Sequence, residues 1–377
     1  MYISTHEDLA AFCARARGFD AVAIDTEFLR ERTFYPKLCL VQLATPDECA
    51  IVDPLAIHDL APLAALMTDG STLKVFHACS QDMEALYHAL EVCPGPIFDT
   101  QVAAAFLGER MQCSYTALVH AFCGVDLPKS ESLTDWSRRP LTPEQIEYAM
   151  DDVRWLIQAY GAMVVQLEEQ GRMAWVMDEI RPLMRADHYQ VDPRQAYKHV
   201  KRLSSCTRKQ MAVARELAAW RERQAERHDI PRKWVMSDEV LLALCKRAPR
   251  TVEDFRRIRG TEQLSEHDVD AALAAIARGA RCPKDNLPSA GKKHAAPSPE
   301  LESVIDLMYA LIRIVSERSG VATGLIATRD ELAAYIDHPE RSRLREGWRF
   351  ELVGSLIDDL LAGRIGLTVK DRAVELV

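Results

Sequence analysis

Two acids, Asp25 and Glu27, interrupt an apolar run near the start of the chain, AVAIDTEF at residues 21–28. Side chains alternate faces along a strand, so residues i and i+2 point the same way. Two carboxylates held that close repel each other, and burying them unpaired costs several kcal/mol, which a divalent cation between them offsets. In the competing arrangement the strand ends at Ile24 and both acids face water. Later residues bear on the choice. Asp82, in HACSQDMEAL (77–86), follows another β-type run and falls in the first turn of a helix, where an acid also suits the helix dipole. Asp152 stands four residues after Tyr148, which puts the phenol and the carboxylate on one helical face. Asp151, three residues on, offers a similar position, and spacing alone leaves both open. Solvation accounts for each feature singly. It does not account for the set: D-x-E on a strand, an Asp at a strand-to-helix junction, and Y-x-x-x-D on a later helix.

The elements that must position these residues are legible as patterns. Between 20 and 105 the runs AVAIDTEF, LCLVQLAT, CAIVDP and LKVFHA read as short strands, with a helix around LAPLAALM. A second helix, SQDMEALYHAL, follows the fourth run, with Ser80 placed to cap it. A long helix starts at LTPEQ: Thr142 caps, Pro143 takes the first helical position, and Gln145 completes a capping box. These features predict a mixed α/β domain over 1–170 and a helical connector over 171–204. A compact all-helical domain follows over 205–280. Residues 281–300, RCPKDNLPSAGKKHAAPSPE, carry four prolines and read as a linker, and a last helical segment fills 301–377.

Charge divides the chain along the same lines. Residues 1–170 hold 11 basic and 25 acidic side chains, whereas residues 171–280 hold 22 and 16. The net charge of -9 therefore joins an acidic first part to a basic middle, and the middle is a candidate surface for a polyanion. At 377 residues, two or three domains are expected. No run approaches the roughly 18 to 20 apolar residues of a membrane span, and the first residues lack a signal-peptide pattern, so the expectation is a soluble cytoplasmic protein. The ten cysteines are scattered without a C-x-x-C pair, which excludes zinc-ligand spacing and suggests reduced, buried thiols.

The wording of these segments resembles the DEDD exonuclease superfamily in its Y-x-x-x-D subgroup, and within it the ribonuclease D family. IDTEFLRERTFYPKLCLVQLAT (24–45), HACSQDMEAL (77–86), IFDTQVAAAFLG (97–108) and YAMDDV (148–153) match in order and separation. LAAWRERQAERHDIPRKWVMSDEVLLALCKRAP (217–249) with FRRIRG (255–260) resembles the helical HRDC domain shared by RecQ-type helicases and ribonuclease D. GWRFELVGSLIDDLLAGR (347–364) is similar to the family's divergent second helical domain, with ATRD at 327–330 departing from its pattern. The resemblance implies a ribonuclease-H-like mixed sheet flanked by helices, then two small all-α domains. It implies that Asp25, Glu27, Asp82 and Asp152 hold two divalent ions, selecting Asp152 over Asp151, and that Tyr148 helps place the attacking water. Hard oxygen donors suit Mg2+ or Mn2+. Two ions about 3.5 to 4 Å apart activate a water on one side and stabilise the leaving 3' oxygen on the other. The implied activity is 3'-5' exoribonuclease action on RNA 3' ends, transfer RNA precursors among them, with release of nucleoside 5'-monophosphates by a monomeric enzyme. A phenol with an ordinary pKa of about 10 orients the water rather than deprotonating it.

Other residues are candidates for substrate contact. Phe28 could stack on a terminal base, against an ordinary core role. His77 could touch the RNA backbone, against a satisfied core histidine. Arg221, Arg223, Arg232, Lys233, Arg256, Arg257 and Arg259 could meet phosphates, against ion pairing within their helices. Two alternative functions share the motifs: a DNA 3'-5' exonuclease, and a non-catalytic nucleic-acid-binding protein. The order of parts along the whole chain favours RNA, and the chemically competent side chains at all five motif positions favour catalysis.

Overall fold

The computed structural model describes residues 1–128, 134–190, 192–289 and 298–377. Its first part is a six-stranded mixed sheet in the order β1-β4-β3-β2-β5-β6. The strands are β1 (Tyr2–Ile3), β2 (Ala21–Leu29), β3 (Lys37–Ala44), β4 (Cys49–Val52), β5 (Leu73–Phe76) and β6 (Ile97–Asp99). The four anticipated strands are present. The two-residue β1 and three-residue β6 escaped the sequence because neither is long enough to show alternation. Helices α1 (His6–Ala16), α2 (Ala61–Met67), α3 (Ser80–Leu90), α4 (Thr100–Phe106), α5 (Tyr115–Cys123) and α6 (Pro143–Glu169) flank the sheet.

β2 does not stop at Ile24. It runs on to Leu29, pairing antiparallel with β3, so that Asp25 opposes Gln42 and Glu27 opposes Leu40. Its parallel pairing with β5 reaches only Ala23 opposite Val75. The acid-bearing half of β2 thus extends past the end of β5, where the chain turns into α3. After Glu27 the register slips by one residue, Phe28 opposing Leu38, so that Cys39 is the extra residue of a bulge in β3 beside the acids.

The start of α6 is as expected: Thr142 Oγ1 accepts from the Gln145 amide, and the Gln145 side chain accepts from the Thr142 amide at 2.9 Å. The start of α3 is not. Its N-cap is Cys79, without a side-chain cap bond, and Ser80 lies inside the helix. The turn is held from β6 instead, by the Asp99 carboxylate, which accepts from the Ala78 amide at 3.1 Å and the Cys79 amide at 2.9 Å. Ala78 is kept there at φ 59, a left-handed conformation costly for a residue with a Cβ.

Beyond the sheet come α7 (Met173–Ile180) and short 3-10 turns, then a bundle of α8 (Arg208–Arg227), α9 (Arg232–Val235), α10 (Asp238–Arg247), α11 (Val252–Arg256) and α12 (Glu266–Ala280). The bundle has its own apolar core, into which Phe34 from the β2–β3 loop inserts. Of the anticipated linker, residues 290–297 lie outside the described residues. Its first part is strapped to α8, where Arg208 donates to the carbonyls of Leu287 and Pro288 at 3.1 Å each. The chain is helical again at α13 (Pro299–Ser319), followed by α14 (Thr323–Ile326), α15 (Arg329–Asp337) and a helical stretch over 347–361. This last part shares one continuous core with the sheet domain, joining Leu311, Ile312, Trp348 and Ile357 to Phe106 and Ile180. It ends in a hairpin, β7 (Leu367–Lys370) and β8 (Ala373–Leu376), which the helical expectation for 301–377 omitted.

Candidate active site

Asp25 and Glu27 lie on the face of β2 toward α6, and α6 brings Asp152 to them. One carboxylate oxygen from each of these three residues falls within 4.8 Å of the others. Asp82 arrives separately. Buried in the first turn of α3, it accepts a 2.5 Å hydrogen bond at Oδ1 from the Thr26 hydroxyl, on the alternate face of the strand. Asp151 is turned away: its Oδ1 takes the Arg154 guanidinium at 2.7 Å, and its carbonyl takes the Tyr115 hydroxyl at 2.8 Å. Of the two adjacent aspartates that spacing left open, Asp152 meets Asp25 and Glu27, whereas Asp151 pairs with Arg154.

The electrostatics of the group are those of an uncompensated acid cluster. Burial first, then Asp82, Asp152 and Glu27, hold the Asp25 carboxyl well above the usual carboxylate range. Burial with Asp152 and Asp82 raises Glu27 to about 8. Burial raises Asp82 to about 7 against the opposing Thr26 bond. It raises Asp152 to about 7, with Tyr148 opposing by donating its hydroxyl hydrogen bond to that carboxylate. These causes, low solvation and mutual repulsion, are what bound cations remove. The donor set fits a hard divalent ion, all oxygen and no sulfur or imidazole. Gln42, opposite Asp25 and therefore on its face of the sheet, has both amide atoms buried with no hydrogen-bond partner among the described residues. It is a spare polar group beside the cluster.

A cleft of about 1180 Å3 opens next to these acids, lined by Tyr115, Trp136, Arg138, Gln145, Tyr148 and Asp152 among others. Tyr148 packs against the Trp136 ring, the centroids 6.1 Å apart. Tyr115, half-buried beside Asp152 and Asp25, went unnoticed in the sequence because it belongs to no spaced pattern. Burial and those acids push its phenol up, which keeps it a neutral donor.

The weaker candidates separate. His77 is engaged at both ring nitrogens, Nδ1 with Thr100 Oγ1 at 3.0 Å and Nε2 with the Cys113 carbonyl at 3.1 Å, and burial depresses its pKa. Phe28 is partly buried, with the Arg30 guanidinium 5.5 Å from its ring centroid. In the bundle, Arg221 is buried and bonded to Asp238 and the Met236 carbonyl, and Arg256 donates to the carbonyls of Thr261 and Leu264. Both guanidiniums are turned inward, so phosphate contact is not the work their geometry suits. Arg232 is held by Glu222 at 2.6 Å and lies over Phe34. Lys233, Arg223, Arg257 and Arg259 are exposed.

A mixed sheet with flanking helices, an acid cluster at the end of its central strand and a helical bundle behind it are the parts of a 3'-5' exonuclease. Residues 1–168 match the family described as 3'-5' exonuclease, and residues 210–277 match the HRDC domain. The chain is 40% identical to ribonuclease D of Nitrobacter hamburgensis over 376 residues, covering 98% of this chain and 97% of that one. It is 38% identical to ribonuclease D of Jannaschia sp., covering 100% and 98%. The crystal structure of Escherichia coli RNase D, described as an exoribonuclease involved in structured RNA processing, superposes with a TM-score of 0.81 at 32% identity, covering 96% of this chain and 98% of that one. The chain belongs to the ribonuclease D family of 3'-5' exoribonucleases, enzymes that use divalent metal. Among the described residues, no helix is long and apolar enough to cross a membrane.

Proposed function

We propose that the protein shortens RNA from its 3' end one nucleotide at a time, transfer RNA precursors included, with Asp25, Glu27, Asp82 and Asp152 holding two divalent ions. Mg2+ and Mn2+ both suit the donors. The observation that carries this reading is the meeting of Asp25, Glu27 and Asp152 within 4.8 Å, with Asp82 close enough to raise the pKa of the first two. When bound, the ions supply an activated water and charge stabilisation for the leaving 3' oxygen. The chain's own residues do the rest. Asp25 and Glu27, fixed by the pairing of β2 with β3, set the position of the ion-bearing edge relative to the cleft. Thr26 fixes the Asp82 carboxylate by donating its hydroxyl to Oδ1 at 2.5 Å, close enough to Asp25 and Glu27 to raise both. Tyr148, with its ring held against Trp136, presents its hydroxyl at Asp152, where it can orient the attacking water toward the terminal phosphorus. The P–O3' bond breaks, and the products are a nucleoside 5'-monophosphate and an RNA one residue shorter with a free 3' hydroxyl.

The test is a matched pair of RNA and DNA strands labelled at the 5' end and incubated with Mg2+ or Mn2+. A ladder receding from the 3' end of the RNA alone is expected. Equal shortening of the DNA supports a general exonuclease, and no shortening of either removes the catalytic reading. Tyr148→Phe should reduce kcat by about 100-fold, the low end of the range for a lost proton-positioning group. Mn2+ affinity measured by calorimetry should stay within about twofold. An unchanged kcat removes the water-orienting role.

A further inference from the structure

Away from the catalytic cleft, a second cleft of about 850 Å3 lies where the chain entering the bundle, α8, α12 and the turn after α12 meet. Five arginines line it: Arg194, Arg215, Arg223, Arg278 and Arg281. The acid at its centre is Glu216, which lies 3.0 Å from Arg194, 3.5 Å from Arg215 and 3.7 Å from Arg278. One carboxylate shared by three guanidiniums leaves the group strongly positive. The other acid of the lining, Asp192, is occupied as the cap of the Arg194 amide at 2.8 Å. The Arg223 and Arg281 side chains are exposed and make no hydrogen bond or ion pair among the described residues. Arg215 donates to the Asn286 carbonyl, while its Nε is buried without a hydrogen-bond partner.

The fold builds this convergence. Gly279 is the point where α12 crosses α8: a Cβ there would stand 2.4 Å from the Val213 Cα, so only glycine admits the close approach that brings Arg278 and Arg281 alongside Arg215 and Glu216. Along α8, Glu216 and Arg223 are seven residues apart and share a face. Three residues further, Glu226 accepts from the Tyr35 hydroxyl at 2.8 Å, on the loop leaving the acid-bearing strand. At 1.5 Å per residue, Arg223 is about 4 to 5 Å along the helix from that junction. The basic cleft therefore runs toward the catalytic domain.

We propose that this cleft binds the phosphodiester backbone of the RNA substrate, on the 5' side of the end being cut. The inference rests on the exoribonuclease reading above. An acidic catalytic domain repels RNA, and fixed guanidiniums beside it supply the attraction through counterion release. Planar, bidentate arginines suit phosphate oxygens better than lysines do, and the lining contains no lysine.

The test uses the full-length chain and a 5'-labelled single-stranded RNA of 20 nucleotides in EDTA, with binding read by fluorescence anisotropy between 50 and 200 mM salt. Arg223→Ala/Arg278→Ala/Arg281→Ala, all exposed positions, should weaken binding at least about tenfold. It should also flatten the log K against log salt slope by about 2, from three contacts at about 0.7 each. Hydrolysis of a trinucleotide with Mn2+ should proceed at the wild-type rate. Glu216→Gln should do the opposite, tightening binding several-fold by releasing the three guanidiniums. An unchanged slope in the triple variant, or no tightening in Glu216→Gln, overturns the proposal. Failure of the wild type to shorten RNA at all would instead overturn the exoribonuclease reading.

Discussion

Asp25→Asn should lower the rate of mononucleotide release by about 10³-fold or more, roughly 4 kcal/mol of transition-state stabilisation, while raising the stability of the metal-free protein at pH 8. The two effects share one cause. In the folded chain Asp25 is held well above the usual range and Glu27 at about 8, whereas in the unfolded chain both titrate near their ordinary values of about 4. The folded state therefore keeps protons that the unfolded state has released. Stability is full below about pH 4 and declines as pH rises through 7 to 8, where Asp82, Asp152 and Glu27 ionise against one another. Asn in place of Asp25 removes the central charge without changing the shape. It should recover about 1 to 3 kcal/mol at pH 8 and nothing at pH 4. Thermal melts in EDTA across pH 4 to 9 check this: the wild-type curve should fall with pH and the variant's should be flatter. Added Mn2+ should restore more stability to the wild type than to the variant. A variant less stable than wild type at pH 8 would mean that the acids are not in conflict and that the cluster does not await a cation.

How much of this site could be read beforehand depends on how local each determinant is. Asp25 and Glu27 were legible because alternation in a strand is a two-residue property. The extension of β2 past β5, which makes the notch for Asp82, is set by pairing partners 52 residues away and left no mark in AVAIDTEF. Asp152 was separable from Asp151 only by resemblance, although Arg154, three residues after Asp151, was visible as the partner that would claim it. Basic residues in the bundle were counted correctly and sorted poorly. Arg221 and Arg223 sit two residues apart on α8, one buried against Asp238 and the other in the basic cleft, and composition carries no face. The terminal hairpin had an alternating signal, LTVK and AVEL. Its turn is Asp371–Arg372 with φ of 49 and 67, a conformation that Asn-Gly would have announced and Asp-Arg does not.

Glu179→Ala should destabilise the protein by about 3 to 5 kcal/mol with little change in RNA affinity. Glu179, on α7, accepts from Trp348 Nε1 at 3.1 Å and from both terminal nitrogens of Arg349, whose guanidinium also reaches the Leu325 carbonyl and lies 4.2 Å from the Trp348 ring centroid. Burial opposes the Glu179 charge and Arg349 overcomes it, holding the carboxyl below its usual range. Around the pair, Trp348 stacks on Trp175 with centroids 5.5 Å apart and meets Phe106 edge-on at 4.9 Å. Truncation to Ala leaves the Arg349 side chain, 6% exposed, buried without its counter-charge. Adding Arg349→Met should recover part of the loss, because a buried apolar side chain needs no partner. A melting temperature lowered by several degrees in the single variant and partly restored in the double checks the prediction. An equal loss in both would place the energy in the Glu179 contacts other than Arg349. The consequence reaches the basic cleft. Since the last helical segment shares the core of the sheet domain, deleting everything after residue 205 would expose Phe106, Ile180 and their neighbours to water. RNA binding lost by such a truncation would report on folding, whereas the exposed arginines of the cleft can be changed singly without touching that core.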